Sequence, residues 1–268
     1  MVSLASLVFI CASGLITVGL PIALLIYYKI RQGVKIMPVF FGILGFVVFV
    51  LILERLLHNI VLKPDENGLI PLMEEPSYFV LYVIFAAGIF EETARLISFK
   101  ILRSNYKGVR TGLAYGVGHG GAESVLLVGS TMINNLVLSI MINNGNIGFL
   151  GDSPQIQTAV YALVNSEAIL FMVGGIERII TIALQISLSV LVWYAATSKR
   201  KIWLFPTAIL LHAAVDVPAA MMQADILTNI WFVEGLLAVG TLVVVLIASS
   251  VHRRFQDVYA FENSFFGN

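Results

Sequence analysis

Seven apolar runs, each long enough to cross a bilayer, leave this chain with little else to fold from. Crossing about 30 Å of hydrocarbon takes roughly 20 mostly apolar helical residues. The runs fall at about 4–28, 37–62, 78–99, 110–142, 167–197, 202–223 and 226–250. Only 12% of the 268 residues are charged, against about 25% in soluble domains, so lipid is the expected solvent. The sequence therefore predicts an all-α, polytopic helical bundle of about seven transmembrane helices in the cell membrane. Residues 1–252 form one transmembrane domain in this reading, and 253–268 a short, mobile cytoplasmic tail. The fourth and fifth runs are over-long and are expected to tilt or kink. Residues 155–166 read as a separate short helix near the outer surface.

Charge between the runs sets direction. The links after runs one, three and five hold Lys29, Arg31 and Lys35, then Lys100, Arg103, Lys107 and Arg110, then Lys199, Arg200 and Lys201. The tail adds Arg253 and Arg254. The alternate links hold Asp65, Glu66, Glu74, Glu75, Asp152 and Asp225, with only Lys63 among them. Basic residues stay on the cytoplasmic side, which places the N-terminus outside and the C-terminus inside. The first run lacks a basic leader before it and reads as a retained helix rather than a signal peptide. Cys11 reads as a small packed core residue. A net charge of zero gives no sign of a nucleic-acid partner.

Ionisable groups at mid-bilayer cost at least ~2.5–3.5 kcal/mol each and so call for a partner or a purpose. The third run carries Glu91, Glu92 and Arg95, the fourth His119 and Glu123, and the sixth His212 and Asp216. Glu91 and Arg95, His119 and Glu123, and His212 and Asp216 are each four apart, so each pair shares one helix face. Counting from the nearest basic marker at ~1.5 Å per residue puts Glu91, His119 and His212 roughly 13–17 Å inside the cytoplasmic boundary. Three helices thus bring carboxylates and imidazoles to one layer. Glu54 with Arg55, and Glu177 with Arg178, lie nearer the outer face and read as structural ion pairs outside that layer. His58 reads as an interfacial histidine. Gly116, Gly118, Gly120 and Gly121 around His119 read as a tight helix-packing surface.

Carboxylates beside two histidines suit hydrolysis. A desolvated glutamate can act as general base on water. The histidines can stabilise an oxyanion or bind a divalent metal. Arg95 can orient a glutamate, and Asp216 can orient His212. With no cysteine near, a metal such as zinc would be held by histidines and carboxylates, with His119, Glu123, His212 and Asp216 as the candidate set.

The segments Glu91-Glu92-x-x-Arg95, Gly-His119-Gly-Gly-x-Glu123 and His212-x-x-x-Asp216 resemble the motifs of the YhfC-type membrane peptidases, distant relatives of the CAAX-prenyl-protease and PrsW group. The likeness covers roughly residues 80–220. It implies an intramembrane peptidase in which Glu91 activates water and Glu92 assists or is held by Arg95. His119 and His212 would then stabilise the oxyanion or bind metal, with Asp216 supporting His212. Two positions depart from the prenyl-protease pattern: Tyr115 stands where a Phe precedes the histidine, and Asp216 replaces an Asn. An ionised Asp cannot donate to an oxyanion as an Asn amide can, which points Asp216 towards orientation or metal binding. The implied partner is a membrane protein or peptide substrate. The alternative is a proton-linked carrier or a non-catalytic scaffold built on the same layer.

Overall fold

The computed structural model describes residues 1–66, 68–146, 148 and 153–266, with side chains through Phe255; Asp152 lies outside the described residues. Among the described residues helix is the only regular secondary structure. Eight helices of more than ten residues follow one another: α1 (Leu4–Gln32), α2 (Ile36–Val61), α3 (Pro76–Leu102), α4 (Arg110–Asn143), α5 (Pro154–Asn165), α6 (Leu170–Thr197), α7 (Leu204–Gln223) and α8 (Ile230–Phe266). The short helix expected at 155–166 is α5. The backbone of α8 stays helical past the apolar run, through Phe266.

Six of these helices are long and apolar enough to cross a membrane. α3 has the length, at 27 residues, but is not among the six, because Glu91, Glu92 and Arg95 interrupt its apolar character. The burial pattern is that of a membrane protein. Leu15, Ile22 and Ile26 on α1 and Val239, Leu242 and Leu246 on α8 face outward, where water would disfavour them and lipid does not. Cys11 likewise faces outward and is not the core residue that its size suggested.

α6 is the central post. Val190 to Ala196 are all buried, and α6 packs against α1, α3, α4, α7 and α8. Its apolar neighbours include Phe99 and Leu102 of α3 and Leu204 and Ala208 of α7. Local signals set the helix ends: Ser3 accepts from Ser6 N at 3.0 Å to cap α1, and Gly33, at φ 63°, turns the chain out of it.

The most extensive contact is between α2 and α4, and glycine makes it possible. A Cβ on Gly118 would collide with the Val39 carbonyl oxygen and sit 2.9 Å from Val39 Cα. One on Gly42 would collide with the Tyr115 carbonyl oxygen and lie 2.7 Å from His119 N. On other faces of α4, Gly116 rests on Ile186 Cα and Gly121 on the Pro21 ring. The glycines around His119 are therefore a packing surface, as the sequence suggested, and they serve three neighbouring helices at once. Both α2 and α4 also contain a stretch of wide π-helical turns, Phe46–Glu54 and Ser124–Gly129. Gly118→Ala is expected to push α2 from α4 and cost about 1–3 kcal/mol. Gly19→Ala, at a helical position with nothing within 4 Å, is expected to be neutral or mildly stabilising. Unfolding titrations of both variants in mixed micelles would compare the two.

Candidate functional site

Arg95 lies at the middle of the cluster with no solvent exposure. Its guanidinium is paired with Glu92 Oε1, through Nη1, and with Glu91 Oε2 at 3.4 Å, through Nη2. Its Nε donates to Ser189 Oγ on α6 at 3.2 Å. The i, i+3 and i, i+4 spacings on one helix make the two carboxylate contacts local, so α3 carries a preassembled charged triad.

Two imidazoles close on this triad from other helices. His119 Nε2 of α4 lies 2.9 Å from Glu91 Oε2. His212 Nδ1 of α7 lies 2.8 Å from Glu92 Oε1, and its Nε2 lies 3.5 Å from Asp216 Oδ2. An ionised carboxylate only accepts, so His119 Nε2 and His212 Nδ1 are the donors in the two shorter contacts. His119 is held in place by rings: Phe46 of α2 meets it edge-on at 5.4 Å between centroids, and Tyr115 stacks at 5.8 Å. Tyr115 in turn packs on Phe99 at 4.7 Å. The convergence of the third, fourth and sixth apolar runs, expected from spacing and depth, is thus present, and it unites Glu91, Glu92, Arg95, His119, His212 and Asp216.

Glu123 meets a different partner set. Arg178 Nη1 of α6 donates to its Oε1 at 2.8 Å, and Gln185 Nε2 donates to its Oε2 at 2.7 Å. The same Gln185 nitrogen donates to Glu91 Oε2 at 3.0 Å. Gln185 therefore ties two carboxylates from α3 and α4 to α6, a role that the sequence did not signal. Arg178 also pairs with Glu177, as expected, but the expectation that this pair stands apart from the layer is corrected. A long guanidinium stem carries the charge well away from its own Cα, and here it reaches Glu123.

Glu54 is likewise revised. Arg55 is exposed, and Glu54 instead lies 3.4 Å from His58 Nε2, whose Nδ1 meets the Tyr82 hydroxyl at 2.8 Å. Glu54 is buried, ends the wide-turn stretch of α2, and lies within electrostatic range of Glu91, His212, Asp216 and Glu123.

A cavity of about 110 Å³ adjoins the cluster, lined by Glu91, Glu123, Arg178, Gln185, His212 and Asp216. At about 30 Å³ of liquid volume each, it can take a few waters. Neither Glu92 nor His119 lines it. Of the two adjacent glutamates, Glu91 has the access, while Glu92 is wholly enclosed.

A family model described as YhfC intramembrane metalloprotease matches residues 16–237. The chain is also 37% identical over 242 residues to the Bacillus subtilis (strain 168) protein described as "Uncharacterized membrane protein YhfC", covering 89% of this chain and 93% of that one. No solved structure matches.

The family description implies a metal, and the donor geometry can be tested for one. Among the described residues, no three His, Cys, Asp or Glu side chains gather as a metal-holding group. Each of Glu91 and Glu92 already faces an imidazole nitrogen, and the cation between them is the Arg95 guanidinium. Of the four candidate ligands, Glu123 is engaged by Arg178 and Gln185 rather than turned towards His119. The residues as arranged do not fit a resident metal.

Removing one partner of a buried charge network leaves the others uncompensated, at about 3–5 kcal/mol. Arg95→Ala is expected to lose stability on that scale, and Arg95→Lys to recover only part of it, because an ammonium cannot span Glu91, Glu92 and Ser189 together. Equilibrium unfolding in detergent measures both.

Proposed function

This chain belongs to the YhfC family of membrane proteins, and from that premise we propose that it is an intramembrane peptidase in which Glu91 activates water. The observation that carries this reading is the pairing of access with restraint at Glu91. Its carboxylate borders a water-sized cavity, while three donors from three helices, Arg95, His119 and Gln185, converge on its Oε2. Oε1 is then the oxygen through which Glu91 can take a proton.

In the proposed step, a cavity water gives a proton to Glu91 as its oxygen bonds to the carbonyl carbon of the substrate. Negative charge develops on the carbonyl oxygen, and His212, which shares the cavity with Glu91, donates to it through Nε2, whose contact with Asp216 is long at 3.5 Å. Glu92 holds His212 in orientation through Nδ1. Collapse of the tetrahedral adduct breaks the C–N bond, and Glu91 returns its proton to the leaving amine. The products are a carboxylic acid and an amine, which become carboxylate and ammonium when the acid's proton passes to the amine. Glu92, Arg95, His119 and Gln185 are positioning residues in this scheme, since each acts through a contact with Glu91 or His212.

The membrane arrangement belongs to the same proposal. α3 is the seventh crossing: its 27 residues span ~40 Å at the helical rise, and its charges turn inward onto α4, α6 and α7. The N-terminus then lies outside, the C-terminus in the cytoplasm, and hydrolysis in the cytoplasmic half of the bilayer. The substrate is a membrane protein or peptide.

A positioned general base contributes about 10²–10⁴-fold to rate. In proteoliposomes containing single-span peptide substrates, Glu91→Gln is expected to lower kcat by that factor with little change in KM. Cleavage is expected to persist after chelator treatment. Undiminished cleavage by the Glu91→Gln variant would remove Glu91 from its role, and loss of activity on chelation would return the site to metal chemistry.

A further inference from the structure

A second and much larger cavity, about 1060 Å³, lies where α3 ends and α4 begins, bordered also by the last turns of α6 and by α8. Its wall shares no residue with the cavity at Glu91. Four cations face it, Lys100, Arg103, Lys107 and Arg110, and among the described residues its lining contains no carboxylate side chain. All four cations are exposed. Its floor is aromatic, with Trp193 and Tyr194 among the lining side chains.

The wall is a built structure. Arg103 Nη1 donates to the Ala196 carbonyl of α6 at 2.5 Å, and Lys107 Nζ donates to the Arg103 carbonyl at 2.9 Å, which fastens the α3–α4 connection onto α6. The Tyr194 hydroxyl meets His252 Nδ1 of α8 at 2.7 Å across the floor. Gly108, at φ 78°, reverses the chain, and α4 then starts at Arg110 with no side-chain cap on its first turn. A 34-residue helix therefore begins at the rim of a cationic hollow.

Like charges around one concavity repel, and the low-dielectric wall focuses their field. A phosphate relieves that repulsion: guanidinium forks match its oxygens, lysines add point charge, and a helix start presents backbone N–H groups. The volume exceeds what a lone phosphate ion fills, leaving room for the group that carries it. The position at the ends of bilayer-length helices, the level at which lipid headgroups lie, selects a lipid as that carrier. We propose that this cavity binds the phosphate headgroup of an anionic membrane phospholipid, independently of the hydrolytic site.

Titration of a short-chain phosphatidylglycerol into the detergent-solubilised full chain tests this. Phosphatidylcholine with the same acyl chains, glycerol phosphate and inorganic phosphate form the other arms. Saturable binding of phosphatidylglycerol is expected, weakened roughly thirty-fold by the double variant Lys100→Gln/Lys107→Gln, at about fivefold per basic residue lost. The separate Arg110→Gln variant should weaken it several-fold. The control Lys29→Gln/Arg31→Gln removes equal charge from another link and should leave binding within about threefold. Equal loss in the control, or equal binding of phosphatidylcholine, would overturn the pocket. Glycerol phosphate or inorganic phosphate binding as tightly as the lipid would overturn the lipid assignment.

Discussion

One enclosed guanidinium governs the arrangement of this bundle. A buried cation is tolerated only with anions and hydrogen-bond acceptors around it, since desolvation alone costs several kcal/mol. Arg95 finds its two anions on its own helix, Glu91 and Glu92, and a third acceptor, Ser189, on α6. α3 must then bury that face, and the remaining carboxylate capacity must be met from elsewhere. His119 and His212 meet it. The charged triad thereby dictates which faces of α4 and α7 turn inward, and α6 follows through Gln185 and Arg178.

Those donors are useful only if the helices come close enough, and small residues decide that. The α4 glycines let α2 and α6 approach backbone to backbone, which places His119 between Phe46 and Tyr115 with its Nε2 on Glu91. The wide turns of α2 end on Glu54, and those of α4 start immediately after Glu123. Both carboxylates therefore flank irregular helix, the kind of stretch that often adjoins functional sites. Regular helix geometry brings the histidines in, and irregular helix borders the two outer acids.

The sequence revealed the parts of this site that depend on spacing along one helix. Glu91/Arg95 and His212/Asp216 are neighbours because a helix makes them so, and their common depth follows from a constant rise. It concealed what depends on side-chain reach or on neutral groups. Gln185 stands uncharged in a strongly apolar run, so neither hydropathy nor charge counting distinguishes it. Residue counting gives Arg178 the depth of its backbone, whereas its guanidinium extends to Glu123. Adjacency in sequence suggests Arg55 as the partner of Glu54, but adjacent residues point about 100° apart on a helix, and the face-sharing His58 is its actual neighbour. Charges that share a face inform; charges that merely adjoin in sequence do not.

The same 100° step explains why two consecutive glutamates cannot share one task. Glu92 turns to Arg95 and His212 and is sealed off, which leaves Glu91 to face the cavity. A cavity of about 110 Å³ admits water but not a peptide segment, so the proposed peptide hydrolysis requires one wall to move. The walls are unequal. α3, α4, α6 and α7 are joined by charged contacts around Glu91, Glu92 and Glu123. α8 contributes Leu237 and Thr241 to the lining and takes no part in the described ion pairs of the cluster. Displacing α8 beside this cavity gives up mainly apolar contacts that lipid can replace, and its polar tie to α6 through Tyr194 and His252 lies away from the cavity lining, whereas displacing any other wall exposes buried charge. Under the proposed hydrolysis, the charged cluster that would hold Glu91 as general base thus also determines which helix can yield to a substrate.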